Sequence, residues 1–261
     1  MPKFSQNFLT SHATVARIAE AAARHPDCEH TVEIGPGKGF LTHGIIPGRE
    51  GNITLVEIDP AMVEHLNAKY PAPQPFKLIH KDFMELDLDE AFGQYKKVLF
   101  VSNLPYASGT AIMQKILGWQ GFEAAVLMFQ KEVTDRILAA PGRKEYSVLT
   151  LSAQSRARVR RVTVVGRKLF SPPPKVDSAV VELTRLTEPL LKTEAETAAF
   201  FKTIKAAFAH KRKTILNSLA HTPEFDKTRL NAALEQCGIN PQARPETVPL
   251  DRYLALARLI G

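Results

Sequence analysis

Cysteine is nearly absent from this chain: Cys28 and Cys237 are the only two in 261 residues, and neither belongs to a CxxC pair. That excludes a disulfide framework and points to two free thiols in a reducing, cytoplasmic setting. The eight histidines show no HxxxH or mixed Cys/His spacing, so no metal is expected. No apolar run approaches the ~20 residues needed to span a bilayer. Residues 1–7 carry no apolar segment of the secretory type. No membrane partner is expected.

Acid is scarce where base is plentiful. Residues 141–175 hold nine Lys/Arg, among them Arg158, Arg160 and Arg161, against the single acid Glu145. A second block, Lys202, Lys205, Lys211, Arg212 and Lys213, has no acid between Glu196 and Glu224. The net charge is +7, and the first half keeps acids such as Asp82, Glu85, Asp87, Asp89 and Glu90. Solvated charged faces would give the same count. Two separated basic blocks favour a polyanion, with nucleic-acid backbone held by Arg158, Arg160, Arg161, Lys211, Arg212 and Lys213.

What is present is an alternation. Apolar runs at Thr31–Ile34, Ile53–Ile58, Phe76–His80, Val98–Ser102 and Ala124–Phe129 read as strands. Helical patterns near Phe40–Ile46, Ala61–Lys69, Thr110–Leu117 and Lys131–Ala139 separate or follow them. Strand and helix at this spacing predict an α/β domain with a parallel sheet covered on both faces. Val159–Val165 and Ala179–Leu186 are further strands on either side of a stiff Pro172-Pro173-Pro174 connection. After Arg185 the pattern becomes helical over residues 194–220, 226–237 and 250–260, with Gly238 placed as a C-cap. A boundary near residue 187 gives two domains, 1–187 and 188–261.

The strongest local signal is Val32-Glu33-Ile34-Gly35-Pro36-Gly37-Lys38-Gly39-Phe40, a strand running into three glycines at alternate positions and then a helix. Glycines there let the backbone turn tightly and approach a ligand. A nucleotide site or a plain turn could use such a loop. Glu33, two residues before the first glycine, suits a cationic amino-acid group better than a pyrophosphate, which favours S-adenosylmethionine. Glu57 ends the second strand and can accept from ribose hydroxyls, whereas Asp59, before Pro60, reads as a helix N-cap. Asp82 ends the third strand, where it can accept from an adenine amine, with Phe83 beside the ring. Acids at three successive strand ends belong to the binding edge of such a sheet.

The fourth strand ends Ser102-Asn103-Leu104-Pro105-Tyr106. A conjugated amine is a poor nucleophile that needs orientation more than a strong base. The Asn103 side-chain oxygen and the Leu104 carbonyl can each accept one amine hydrogen, and Tyr106 offers a ring for stacking on a base.

With these motifs the chain resembles the small-subunit ribosomal RNA adenine dimethyltransferases. Phe4-Ser5-Gln6-Asn7-Phe8-Leu9, Phe170-Ser171-Pro172-Pro173-Pro174-Lys175-Val176-Asp177-Ser178, and Ala207-Phe208-Ala209-His210-Lys211-Arg212-Lys213-Thr214 agree, so the resemblance runs from Phe4 almost to the C-terminus. It implies a seven-stranded Rossmann-like S-adenosylmethionine-dependent methyltransferase domain followed by a small all-helical RNA-binding domain. Cofactor contacts would fall on Asn7, Leu9, Gly35, Glu57, Asp82 and Asn103. Phe170 and Tyr106 would sandwich a flipped adenine beside Asn103 and Leu104. The implied reaction is dimethylation of the N6 amines of two adjacent adenines in a hairpin loop near the 3′ end of 16S ribosomal RNA. The implied setting is a cytoplasmic monomer acting on immature 30S subunits. Ser5 departs from the family's usual glycine. The alternatives are a large-subunit (23S) adenine methyltransferase of the macrolide-resistance type and a non-catalytic RNA-binding assembly or transcription factor on the same fold.

Overall fold

The computed structural model describes residues 7–210, 212–223 and 225–260. The start of the first motif, Phe4-Ser5-Gln6, and the expected RNA contact Lys211 lie outside them. Two compact units emerge: residues up to Thr134 with Val159–Arg185, and Asp135–Arg158 with residues from Leu186 onward.

The first unit opens with β1 (Phe8–Leu9) and α1 (His12–Ala23). The Ser11 side chain accepts the Thr14 N–H at 3.2 Å, satisfying one of the donors that a helix start leaves open. Thr14, Val15, Ile18, Ala21 and Ala22 then form its buried stripe. Next come β2 (His30–Ile34), α2 (Phe40–Ile45), β3 (Ile53–Glu57), α3 (Pro60–Lys69), β4 (Lys77–His80), α4 (Leu88–Phe92), β5 (Val98–Asn103), α5 (Gly109–Gly118) and β6 (Phe122–Gln130). After α6 (Lys131–Ile137) and α7 (Val148–Gln154) follow β7 (Ala157–Val165), β8 (Phe170–Ser171) and β9 (Ser178–Arg185).

The main sheet has seven strands in the order β4-β3-β2-β5-β6-β9-β7. β2 through β6 pair parallel, and β9 returns antiparallel on β6. Every residue of β2 and β3 is buried, as expected for central parallel strands covered on both faces. The chain steps from β2 outward to β3 and β4, then crosses back to place β5 on the other side of β2. Loops therefore diverge at the carboxyl ends of β2 and β5, where a crevice opens. β1 and β8 form a separate antiparallel pair, Phe8↔Ser171 and Leu9↔Phe170. The seven strands of the main sheet match the sequence-based spans to within two residues, whereas β1 and β8 went unread.

The second unit contains α8 (Glu194–Phe208), α9 (Ile215–Leu219), α10 (Lys227–Gln236) and α11 (Leu250–Ile260) around Phe200, Ile204, Leu219, Leu234 and Tyr253. The helix expected over 194–220 is broken. Thr214 caps a new helix by accepting from the Asn217 N–H at 3.4 Å, and Ser218 Oγ donates back to the Ala206 carbonyl at 2.9 Å. Gly238 takes a φ of 65° and ends α10, with the Ile239 N–H reaching the Leu234 carbonyl at 2.8 Å. Residues 135–158 group with these helices although they precede residue 187, because Tyr146 and Leu151 join the same apolar core. No helix among the described residues is long and apolar enough to cross a membrane.

Candidate active site

A cavity of about 430 Å³ opens at the carboxyl ends of β2 to β5. Its walls are the loops that follow those four strands, closed on one side by Asn7, Phe8 and Leu9. Asn7, Leu9, Gly35, Glu57, Asp82, Asn103, Leu104 and Tyr106, from five separate chain segments, all line it.

The glycine loop is held in shape from two sides. Gly35, Gly37 and Gly39 have φ of 63°, 54° and 68°, the left-handed region that costs other residues strain. A Cβ on Gly37 would stand 3.0 Å from the Phe8 ring, whereas one on Gly35 would enter open space. Glu57 ties the loop from β3. Its Oε2 accepts the Gly37 N–H at 2.9 Å, and its Oε1 accepts the N–H groups of Ile58 and Asp59, each at 2.9 Å. A carboxylate has about four acceptor positions, so roughly one remains for a ligand hydroxyl. The carboxylate expected to accept from a ribose is also the clasp of the loop. Asp59 caps α3 through the Ala61 N–H at 3.0 Å, as its place before Pro60 predicts.

Glu33 lies beneath this loop, 1% exposed, and lines the cavity. Among the described residues its Oε2 finds no hydrogen-bond partner. Burial pushes its carboxyl up to about 8, and the Glu57 charge adds to the rise. The Thr42 hydroxyl and the Lys69 ammonium pull the other way. A buried acid left short of partners is poised for a cation entering the cavity. The open space above Gly35, the partner-poor Glu33 and the carboxylates of Glu57 and Asp82 together fit an adenosine that carries an amino-acid arm.

Asp82 is half-buried and its Oδ1 accepts the Met84 N–H at 2.8 Å. Asn103 ends β5, which is fixed to β2 by Ser102 Oγ donating to the Ile34 carbonyl at 2.6 Å. The Asn103 side-chain N–H donates to the Asn7 carbonyl at 3.3 Å. That bond turns the amide so that its oxygen is the group left to accept. Leu104 is buried, its N–H held by the Met128 carbonyl at 3.2 Å. The Tyr106 hydroxyl lies 3.0 Å from Ser178 Oγ, and Ser178 is fully buried at the start of β9. The ring is therefore fixed at its far end.

Phe170 departs from expectation. It does not line the cavity; it is 4% exposed and packs in the sheet core with Leu9 and Leu41. In the β1–β8 pair its ring gains more by covering Leu9 than by facing water, so it supports the cavity wall from behind. Arg158, Arg160 and Arg161 are exposed on β7. Arg160 bonds the buried Glu182, so its charge is already engaged. Arg212 and Lys213 are exposed in the second unit. Sequence reasoning missed the cavity-wall residues Phe40, Ile58, Met84 and Ile112. Ile112, on the α5 stripe that begins just after Tyr106, carried a readable signal.

A glycine-walled crevice at the switch point of a seven-stranded sheet, with acids on β2 and β3 and just after β4 and an oriented asparagine on β5, defines a Rossmann-like methyltransferase that uses S-adenosylmethionine. The chain matches the ribosomal RNA adenine dimethylase pattern over residues 1–260 and belongs to that family. It is 34% identical over 252 residues to a ribosomal RNA small subunit methyltransferase A from Clostridium acetobutylicum, covering 96% of this chain and 90% of that protein. The protein of the same name from Shouchella clausii is 36% identical over 97% of this chain and 86% of its own length. Among solved structures, the 23S rRNA methyltransferase ErmE is similar with a TM-score of 0.75 and 30% identity, over 97% of this chain and 99% of its own. A dimethyladenosine transferase from Plasmodium falciparum is similar with a TM-score of 0.79 and 25% identity, over 95% of each chain.

Proposed function

We propose that the protein dimethylates the N6 amines of two adjacent adenines in a hairpin loop near the 3′ end of 16S ribosomal RNA, acting in the cytoplasm as a monomer on immature 30S subunits. The observation that carries this reading is the oriented Asn103 amide at the mouth of the cofactor cavity. S-adenosylmethionine, when bound, supplies an electrophilic methyl group. Glu33 faces its cationic amino-acid end, Glu57 accepts from the ribose, and Asp82 accepts from the adenine amine. The target base leaves its stack, because its amine must reach a methyl group inside the cavity. Tyr106, fixed by Ser178, stacks on that base. The Asn103 oxygen and the Leu104 carbonyl accept the two amine hydrogens, which withdraws the lone pair from conjugation and aims it at the methyl group. After transfer the proton leaves to water. Arg158, Arg212 and Lys213 hold RNA phosphates.

The test is transfer of labelled methyl groups to immature 30S subunits and, separately, to free 23S ribosomal RNA. N6,N6-dimethyladenine at adjacent positions of 16S RNA is expected. Label on 23S RNA alone would assign the protein to the macrolide-resistance type, and label on neither would make it a non-catalytic binding factor.

A further inference from the structure

One lysine holds the cofactor loop that follows β4 without touching the cavity itself. The ammonium of Lys115, on α5, donates to three backbone carbonyls of that loop: Phe83 at 2.9 Å, Met84 at 2.8 Å and Leu86 at 2.6 Å. An ammonium has three protons, and all three are used. The same nitrogen stands 5.6 Å from the centre of the Phe83 ring. Asp82, Phe83 and Met84 of this loop line the cavity, whereas Lys115 does not.

The loop's own bonds do not fix where it sits. The Glu85 N–H reaches the Asp82 carbonyl at 3.0 Å, the Leu86 N–H reaches the Phe83 carbonyl at 3.4 Å, and the Met84 N–H reaches Asp82 Oδ1. These are turns internal to the segment. They shape it and turn its carbonyls one way, but they do not attach it to the sheet. On the sheet side the loop is anchored by the Lys81 N–H to the Glu57 carbonyl at 3.0 Å and by the buried Phe83 ring, edge-on to Phe100 of β5. Lys115 ties its carbonyls to α5, and Trp119, one helical turn further on, adds a second tie by donating to Asp89 Oδ1 at 2.7 Å. Ile112, one turn before Lys115, is itself in the cavity wall. The α5 helix begins directly after the loop that carries Asn103 and Tyr106, so a single rigid element borders both the cofactor and the target base.

We propose that Lys115 is a positioning residue for cofactor binding: by capturing three carbonyls of the 83–86 turn it sets Asp82, Phe83 and Met84 against the adenosine end of S-adenosylmethionine. The inference rests on the reading above that Asp82 faces that end. Burial lowers the proton affinity of the ammonium, and the charges of Asp82 and Asp87 oppose that fall. A bound proton is needed, since only the ammonium has three donors. Methionine at this position keeps the length and loses every donor. Arginine keeps the charge and several donors, and glutamine keeps two.

The experiment compares Lys115→Met, Lys115→Gln, Lys115→Arg and Asp82→Ala in the full chain. Calorimetry reads the affinity for S-adenosylmethionine and for 5′-methylthioadenosine, which lacks the amino-acid arm. Hydrogen exchange reads the amides of Met84 to Leu86 in the ligand-free protein. Lys115→Met should weaken both ligands by the same factor, roughly tenfold, as expected for losing bonds to a charged donor. The KM for cofactor should rise in parallel, kcat and the KM for RNA should stay within about twofold of wild type, and the three amides should exchange faster. Arginine should restore most of the affinity and glutamine should fall between, giving the graded answer if the methionine variant does not fold. Wild-type affinity in the glutamine or methionine variant overturns the proposal, as does a fall in kcat or melting temperature with the affinity unchanged. If Asp82→Ala binds normally while Lys115→Met does not, the assignment of Asp82 fails and the hold on the loop stands. If Asp82→Ala alone weakens binding, the role of Lys115 fails and that of Asp82 stands.

Discussion

Replacing Phe170 with alanine separates a wall-supporting ring from a base-stacking one. The ring is 4% exposed and shares a core with Leu9 and Leu41. Truncating a buried phenylalanine costs roughly 3–5 kcal/mol, with the low end where neighbours can collapse into the space. β8 is two residues long and pairs only with the two-residue β1, so partial collapse is available and about 3 kcal/mol is expected. For a chain of this size that corresponds to a melting temperature roughly 6–12 °C lower. A second effect follows from Leu9↔Phe170 pairing. When Leu9 loses its partner, β1 and the adjoining Asn7 carbonyl loosen, and Asn103 loses the bond that turns its amide. Cofactor affinity should therefore fall together with stability. Phe170→Leu should retain most of both. Circular dichroism melting and calorimetric titration with S-adenosylmethionine read the two effects. If Phe170→Ala melts within about 2 °C of wild type, binds cofactor normally and still methylates RNA slowly, the ring faces the base and the reasoning from burial fails.

Asn103→Ala should keep RNA affinity and lose methyl transfer by ~10²-fold or more at saturating cofactor and RNA, and near-normal turnover would refute the orienting role. The Glu33 carboxyl, ordinarily near 4.5 and here pushed up to about 8, keeps its proton in the folded chain while the unfolded chain has lost it. Its contribution to stability should be full below about 4.5, decline as pH rises, and be gone above about 8, with the decline abolished in Glu33→Gln denaturation curves. Glu182 runs the other way. Burial would raise its carboxyl, but the bonds from His25, Arg24 and Arg160 bring it down to about 2. The stability it adds should persist above its ordinary 4.5 and be lost as pH falls toward 2, and Glu182→Gln should cost about 3 kcal/mol near neutrality by urea titration. Arg158→Glu, and Arg212→Glu with Lys213→Glu, should weaken RNA binding and reduce the slope of log affinity against log salt by about one per lost phosphate contact, while an unchanged slope would place these charges away from the RNA.

The parallel sheet was legible because its strands are short, apolar and punctuated by glycine or acid at their carboxyl ends. The errors lie where a local signal was weak or overridden. α1 went unread although Ser11 and the spacing of Val15, Ile18 and Ala22 announce it. α7 was hidden in a basic stretch, where the capping box of Ser147 and Thr150 was its one clear mark. The break between α8 and α9 leaves the phase of the apolar residues nearly unchanged, so periodicity alone reads one long helix; only the Thr214 cap reveals the second start. Residues 135–158 could not be assigned to the helical unit from order along the chain, since membership depends on which core receives Tyr146 and Leu151.

The site shows which kind of residue a sequence exposes. Gly35, Glu57, Asp82 and Asn103 stand at strand ends, where the fold alone brings them to one crevice, and their types state their chemistry. The residues that hold them in place do not announce themselves. Lys115 looks like one more lysine on an amphipathic helix until three carbonyls converge on it. Ser178 looks like a strand residue until the Tyr106 hydroxyl meets it. Phe170 runs in the opposite direction: the resemblance implies a stacking ring, and the pairing of β1 with β8 places it buried beside Leu9. In each case the deciding contact joins segments far apart in the chain, 29 residues or more from Lys115 to the carbonyls it binds, 72 from Tyr106 to Ser178 and, from Leu9 to Phe170, the pairing of the first described strand with the eighth. Chemistry at strand ends is written locally, whereas positioning is written in tertiary contacts. Substitutions at Lys115, Ser178 and Phe170 are therefore the ones that distinguish this structure from any other arrangement of the same motifs.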